Sequence, residues 1–175
     1  SLFLPPGSRV VSISDHGPRR VLCVIGYPIG HSVSPAMQNA AIRALGLSLT
    51  YVAFEVHPRC LGDAVRGALA LRIAGMNVTI PHKSAVLRYL DSVSPRARAL
   101  SSVNTICFSN GGSHGDSTDG PGFLASLRDE GVDPAGRRVV LIGAGGSARA
   151  VAHALLESGA AAVTIAAREI GRAHV

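Results

Sequence analysis

The segment from Arg137 to Ala167 leaves the chain few choices of fold. Arg137 to Ile142 reads as a short strand and Gly143-Ala144-Gly145-Gly146-Ser147-Ala148 as a glycine-rich turn. Arg149 to Ser158 has the spacing of a helix, and Ala162 to Ala167 reads as a second strand. Strand, tight turn, helix and strand in that order form a βαβ unit, whose turn approaches a phosphate group. Gly143 permits the tight turn, Gly145 lets backbone come close to a pyrophosphate, and Ala148 allows the helix to pack near the strand. The helix then aims free N–H groups and its positive dipole end at the anion. Gly143, Ala144, Gly145, Gly146, Ser147 and Ala148 are therefore the candidate residues for a dinucleotide cofactor.

The end of the second strand selects between the two nicotinamide cofactors. An acidic residue there binds a ribose 2′-hydroxyl, whereas an arginine accommodates a 2′-phosphate. Arg168 occupies that place and favours NADP. Glu169 points the other way but adjoins Ile170-Gly171-Arg172-Ala173-His174-Val175, which reads as the translation of a common sequencing adapter. Residues 170–175 are expected to be an artefact, and Glu169 is discounted with them.

Upstream the chain alternates in the same manner. Val21 to Gly26 is an apolar run closed by glycine, as a buried parallel strand should be. Ser34-Pro35 resembles an N-cap followed by proline at the first helical position, and the helical spacing continues to Gly46. Tyr51 to Val56 is a strand, Leu61 to Leu71 a helix, and Gly75 to Pro81 a strand stopped by proline. Ser84 to Leu90 reads as helical and Val103 to Phe108 as a strand, followed by a turn-rich stretch from Ser109 to His114. A helix is expected from Gly122 to Glu130. The fold class is α/β, a mostly parallel-sheet domain followed by a truncated Rossmann-type dinucleotide-binding domain. Residues 1–20 form a poorly defined leader, 21–119 the first domain and 120–169 the partial second one.

Composition closes off other classes. With 47% hydrophobic and 16% charged residues in 175, the chain suits a globular protein rather than a disordered one. No apolar run reaches the roughly 18 residues that span a bilayer, and Ser1 to Pro6 lacks the order of a secretion signal. A cytoplasmic location without membrane contact is the default expectation. The net charge of +6 is spread out, with no arginine run longer than Arg19-Arg20 or Arg137-Arg138, so no nucleic-acid partner is expected. Cys23, Cys60 and Cys107 read as reduced core residues. Neither His31 nor His82 has a carboxylate or cysteine at ligand spacing, and no metal is expected.

Four polar groups interrupt the apolar pattern where loops meet strand ends. They are His31-Ser32-Val33-Ser34-Pro35, Asn77-Val78-Thr79-Ile80-Pro81-His82-Lys83, Ser102-Val103-Asn104-Thr105 and Ser117-Thr118-Asp119-Gly120. In an open α/β sheet the ligand crevice lies outside the carboxyl ends of the strands. In order and spacing, these groups together with the glycine-rich turn resemble the shikimate dehydrogenases over Val21 to Arg168. Gln38 departs from the family pattern where histidine is common, and Ser117 stands where asparagine is usual.

The resemblance implies reversible, NADP-dependent reduction of 3-dehydroshikimate to shikimate in aromatic amino-acid biosynthesis. Ser32 and Ser34 would bind the substrate carboxylate, and Asn77, Thr79 and Asn104 would line its hydroxylated ring. Lys83 would be the acid/base group, because its ammonium can polarise a carbonyl and donate a proton. Asp119 would orient Lys83 and contact substrate hydroxyls. The partner is then a small molecule, shikimate or 3-dehydroshikimate, and a homodimer is compatible with the resemblance. A quinate/shikimate dehydrogenase and a non-catalytic shikimate-sensing domain are the alternatives. The truncated chain alone is expected to be inactive and poorly stable.

Overall fold

The computed structural model describes residues 20–109 and 111–167. Residues 1–19 of the expected leader, Arg168 with its 2′-phosphate role, Glu169 and the adapter-like tail lie outside the described residues.

Strand β1 (Arg20–Gly26) is apolar on both faces because both are covered. It runs parallel to β2 (Leu49–Glu55) on one side and to β3 (Gly75–Val78) on the other. Helices α1 (Ser34–Ala44) and α2 (Leu61–Ala70) make the crossovers. A 3₁₀ turn at Ala85–Tyr89, β4 (Ser92–Val93) and α3 (Pro95–Leu100) follow. The hairpin of β5 (Thr105–Ser109) and β6 (Gly112–Asp116) completes a six-stranded sheet in the order β2-β1-β3-β5-β6-β4. Then come α4 (Asp119–Asp129), β7 (Arg138–Ile142), α5 (Gly146–Glu157) and β8 (Ala162–Ala166), with β7 and β8 parallel.

One face of the large sheet carries Cys23, Ile25, Met76, Val78 and Ile106 against Leu61, Val65 and Ala68 of α2. The opposite face carries Val24 and Tyr51 against Ile42 of α1 and Ile29 of the preceding loop. Each fully buried branched side chain contributes about 1.5–3 kcal/mol. The smaller sheet is less covered, with Val140 at 66% and Ile142 at 93% exposure on its outer face. No helix among the described residues is long and apolar enough to cross a membrane.

The α/β class and the parallel bias hold, since β1–β2, β1–β3, β4–β6 and β7–β8 are parallel. Several local expectations are corrected. Strand β5 is antiparallel to β3, because the stretch expected to be only a turn is the second arm of a hairpin. The end of β3 falls at Val78, and the chain leaves the sheet before a cis Ile80–Pro81 bond. Ser34 lies inside α1 rather than capping it, and the Ser32 hydroxyl accepts from the Ser34 N–H at 3.3 Å. The Ser-Pro signature does cap α3, where Ser94 Oγ accepts from Ala97 N. Helix α4 begins at Asp119 and α5 at Gly146, each three residues before the expected start. Of the cysteines only Cys23 is buried, while Cys60 and Cys107 are exposed.

Candidate active site

Lys83 and Asp119 meet although 36 residues separate them in the chain. Lys83 Nζ lies 2.7 Å from Asp119 Oδ2, with side-chain exposures of 19% and 25%. Lys83 is the single lysine in the sequence. Backbone geometry places it: Thr79 N donates to Ile25 O, Tyr27 N to Ile80 O, and Val103 N to Lys83 O. His82, 1% exposed, lies with Nε2 2.7 Å from the Val56 carbonyl. A carbonyl only accepts, so this nitrogen carries the proton and the ring is an anchor beside Lys83.

Asp119 is fixed from several sides. Its Oδ1 accepts from Asn104 Nδ2, and Ser147 Oγ donates to Oδ2 at 3.4 Å. The second contact reaches from the glycine-rich turn to the Lys83–Asp119 pair. Asn104 is oriented in turn by Thr118 N, which donates to Asn104 Oδ1 at 2.9 Å. Just ahead, Asp116 accepts from Ser94 Oγ, Ser117 N and Arg96. Burial alone would raise the Asp116 carboxyl, but the donors from Arg96, Ser94 and Ser117 outweigh it and hold it below its ordinary range. The turn that presents Thr118 and Asp119 is thereby tied to the start of α3.

Asn77 joins the same network through Tyr51, Asn104 and Thr105. Thr79 lies beside Gly26, where an added Cβ would meet Thr79 Cγ2 at 2.7 Å and Ile29 Cδ1 at 2.8 Å. Gly26 therefore leaves room for Thr79 and Ile29 to pack closely over the end of β1. Among the described residues, Ser32, Ser34 and Thr79 form no side-chain hydrogen bond to the Lys83–Asp119 cluster. They stand instead at the carboxyl ends of the parallel strands. Three participants received no role from the sequence: Tyr51, Thr105 and Thr118. The two threonines lay within legible polar groups, whereas Tyr51 looked like one more apolar strand residue. Gln38 is half-buried on α1, and Ser117 is 2% exposed, so its short side chain is packed inside.

The glycine-rich turn fits a dinucleotide phosphate. Gly143 has φ 109°, a conformation side chains other than glycine rarely adopt. No atom lies within 4 Å of where a Cβ would stand on Gly145 or Gly146. Helix α5 has no side-chain cap and no acidic residue in its first turn, which leaves its amino end available to an anion. Ala144 precedes that end, and Ser147 and Ala148 lie in its first turn. Against this helix packs α4, whose Gly120 sits where a Cβ would be 2.7 Å from Ala150 O.

Family models match two stretches of the chain. Residues 24–106 match the shikimate dehydrogenase substrate binding domain, and residues 126–175 match shikimate / quinate 5-dehydrogenase. A shikimate dehydrogenase (NADP(+)) from Geobacter sulfurreducens is 50% identical over 157 residues, which is 89% of this chain and 55% of that protein. Among solved structures, shikimate 5-dehydrogenase from Thermus thermophilus in complex with NADP(H) and shikimate aligns with a TM-score of 0.80 at 39% identity. That alignment covers 88% of this chain and 58% of the other. The ligand-free 5-ketofructose reductase of a Gluconobacter strain aligns with a TM-score of 0.83 at 39% identity, over 89% of this chain and 56% of that one. The chain spans about half the length of the curated relatives it matches.

Proposed function

Since the chain belongs to the shikimate dehydrogenase family, we propose that its whole protein catalyses the reversible, NADP-dependent reduction of 3-dehydroshikimate to shikimate. The observation that carries this reading is the 2.7 Å contact between Lys83 and Asp119, set among hydrogen-bonding side chains at the carboxyl ends of the strands. NADPH, when bound, supplies the hydride. The chain's residues supply position and the proton.

In this reading residues 21–119 bind substrate and 120–169 form the first part of the cofactor domain. Ser32 and Ser34 hold the substrate carboxylate beside the start of α1, while Asn77, Thr79 and Asn104 meet ring hydroxyls with groups that both donate and accept. Lys83 directs its ammonium at the ketone oxygen, stabilises the negative charge that develops there and delivers the proton. Left neutral, it regains a proton from solvent, and in the oxidative direction it removes the proton from the hydroxyl. Asp119 keeps Lys83 aimed through their 2.7 Å contact. Residues Gly143 to Ala148 would hold the pyrophosphate, and Arg168 the 2′-phosphate. A cytoplasmic location and a homodimer are compatible with this reading, and the diffuse charge argues against a nucleic-acid partner.

Quinate is the second substrate reading, supported by the description of the matched family model. The test uses this chain continued through the C-terminal half of the Geobacter sulfurreducens relative. Cofactor absorbance is followed with shikimate, quinate and 5-ketofructose, each with both nicotinamide cofactors. Preferential turnover of shikimate with NADP+ is expected, and turnover of only another substrate would reject the assignment.

A further inference from the structure

Tyr51 lies on the edge strand β2, separated from β3 by the whole of β1. Its ring is 4% exposed and packs with Val24, Ile29 and Ile42. Both backbone groups are pinned by one side chain, since Asn39 Nδ2 donates to Tyr51 O at 2.8 Å and Tyr51 N donates to Asn39 Oδ1 at 2.9 Å. Asn39 belongs to α1, so the helix that begins at Ser34 sets where the tyrosine stands. Register then fixes its reach. Leu22 pairs with Tyr51 and Val24 with Asn77, which puts the side chains of Tyr51, Val24 and Asn77 on one sheet face. The phenol crosses this face and ends with Oη 2.7 Å from Asn77 Oδ1.

The direction of that bond follows from its neighbours. Asn77 also contacts the Asn104 carbonyl at 3.3 Å, and a carbonyl accepts without donating. The Asn77 nitrogen must therefore face Asn104, its oxygen must face Tyr51, and the phenol must donate. The same logic fixes the next amide, because the Asn104 oxygen faces the Thr118 N–H and its nitrogen faces the Asp119 carboxylate. Between them, Thr105 Oγ1 accepts from Asn77 Nδ2 at 3.2 Å and donates to Asn104 Oδ1 at 3.1 Å. The result is a one-way series, Tyr51 to Asn77 to Thr105 to Asn104 to Asp119, with every donor pointing toward the carboxylate that receives Lys83.

We propose that Tyr51 is a positioning residue for substrate recognition, acting from the edge of the sheet by holding the Asn77 amide in the single orientation this series requires. The proposal rests on the shikimate reading of the site. Burial keeps the phenol protonated well beyond its ordinary range, so it stays a donor at every pH at which the site would work. Without its hydroxyl, Asn77 Oδ1 loses its donor and the amide is free to tilt, while Asp119 and Lys83 keep their own contact. Substrate affinity should therefore change more than the proton-transfer step.

The experiment is a double-mutant cycle of Tyr51→Phe and Asn77→Ala in the chain completed with the Geobacter sulfurreducens C-terminal half. Tyr51→Phe is expected to raise KM for shikimate about fivefold to tenfold, the scale of one hydrogen bond. KM for NADP+ and the pH profile of kcat should stay as in the parent. In the Asn77→Ala background the same change should add less than about twofold, because the residue it acts through is gone. An unchanged KM in Tyr51→Phe, or an equal rise with and without Asn77, overturns the proposal. Failure of the parent to turn over shikimate would instead reject the functional reading, and this role with it. Thr105→Val removes the acceptor on the other side of Asn77 and is read in the same way, so the answer does not hang on one variant folding.

Discussion

Asp119 accepts from Lys83 Nζ at Oδ2, at 2.7 Å, and from Asn104 Nδ2 at Oδ1, so the carboxylate cannot turn without breaking one contact or the other. Lys83→Met keeps the length of the stem and removes the proton. In the completed protein this should lower kcat by about 10²–10⁴, the usual contribution of a placed acid or base, with a smaller change in KM. Asp119→Asn should cost less than Lys83→Met if Asp119 only aims the lysine. A Lys83→Met enzyme retaining parental kcat in steady-state assays would remove Lys83 from the chemistry.

Gly145, the residue just before α5, has φ −74°, and the space above it is open. Serine is at least as good as glycine at such a helix start. Gly145→Ser should therefore leave thermal stability within a few tenths of a kcal/mol. Its hydroxymethyl group would fill the place where a pyrophosphate approaches, and KM for NADPH should rise about tenfold or more, equivalent to roughly 1.4 kcal/mol of lost binding. KM for 3-dehydroshikimate should not follow. Parallel rises for both ligands would mean that the turn is not the phosphate seat.

Gly120→Ala should act through packing alone. The new methyl would stand 2.7 Å from Ala150 O and 2.8 Å from Ala154 Cβ, so α4 must shift on α5. Overpacking of this kind costs about 1–3 kcal/mol. Calorimetry should register a lower Tm, with reduced activity because Asp119 is the adjoining residue. An unchanged Tm would show that the two helices are not in such close contact.

Alkali should weaken the first domain through two buried acids on β1 and β2. Burial pushes the Cys23 thiol from its ordinary 9.0 up to about 11, and the Tyr51 phenol is raised by burial and by the neighbouring Cys23. Both ionise more readily in the unfolded chain. Their contribution is complete below about pH 9 and is lost as pH climbs toward the folded-state values. Cys23→Ala should delay the onset of that loss in melting curves between about pH 8 and pH 11. Superimposable pH profiles for parent and variant would exclude the thiol as a cause.

The legible parts of the molecule are those whose signals are local. The turn from Gly143 to Ala148 was legible because its glycines and the helix start that follows are written within a few residues, and Gly143 does take a positive φ. Lys83 and Asp119 were found through their flanking polar groups. Strand β6 was not, because Gly112-Ser113-His114-Gly115-Asp116 has no β-branched or aromatic residue and becomes a strand only by pairing with β5. That hairpin sets the antiparallel register that opposes Thr105 to Asn77, so the side-chain series across the sheet was hidden with it. Tyr51 was invisible as a polar residue for a related reason. Period-2 patterning says which face a tyrosine occupies, but not what lies at the far end of its ring.

The large sheet draws all six of its strands from Arg20 to Asp116, and none of their pairings involves β7 or β8. On a ribosome, where leading domains fold while later ones are still being made, that sheet can close before the glycine-rich turn has been synthesised. Asn77, Thr105 and Asn104 can then come into register early, whereas the Ser147 contact to Asp119 has to wait until Ser147 has been made. Biogenesis thus gives the protein an order: the large sheet first, and the β7–α5–β8 unit afterwards.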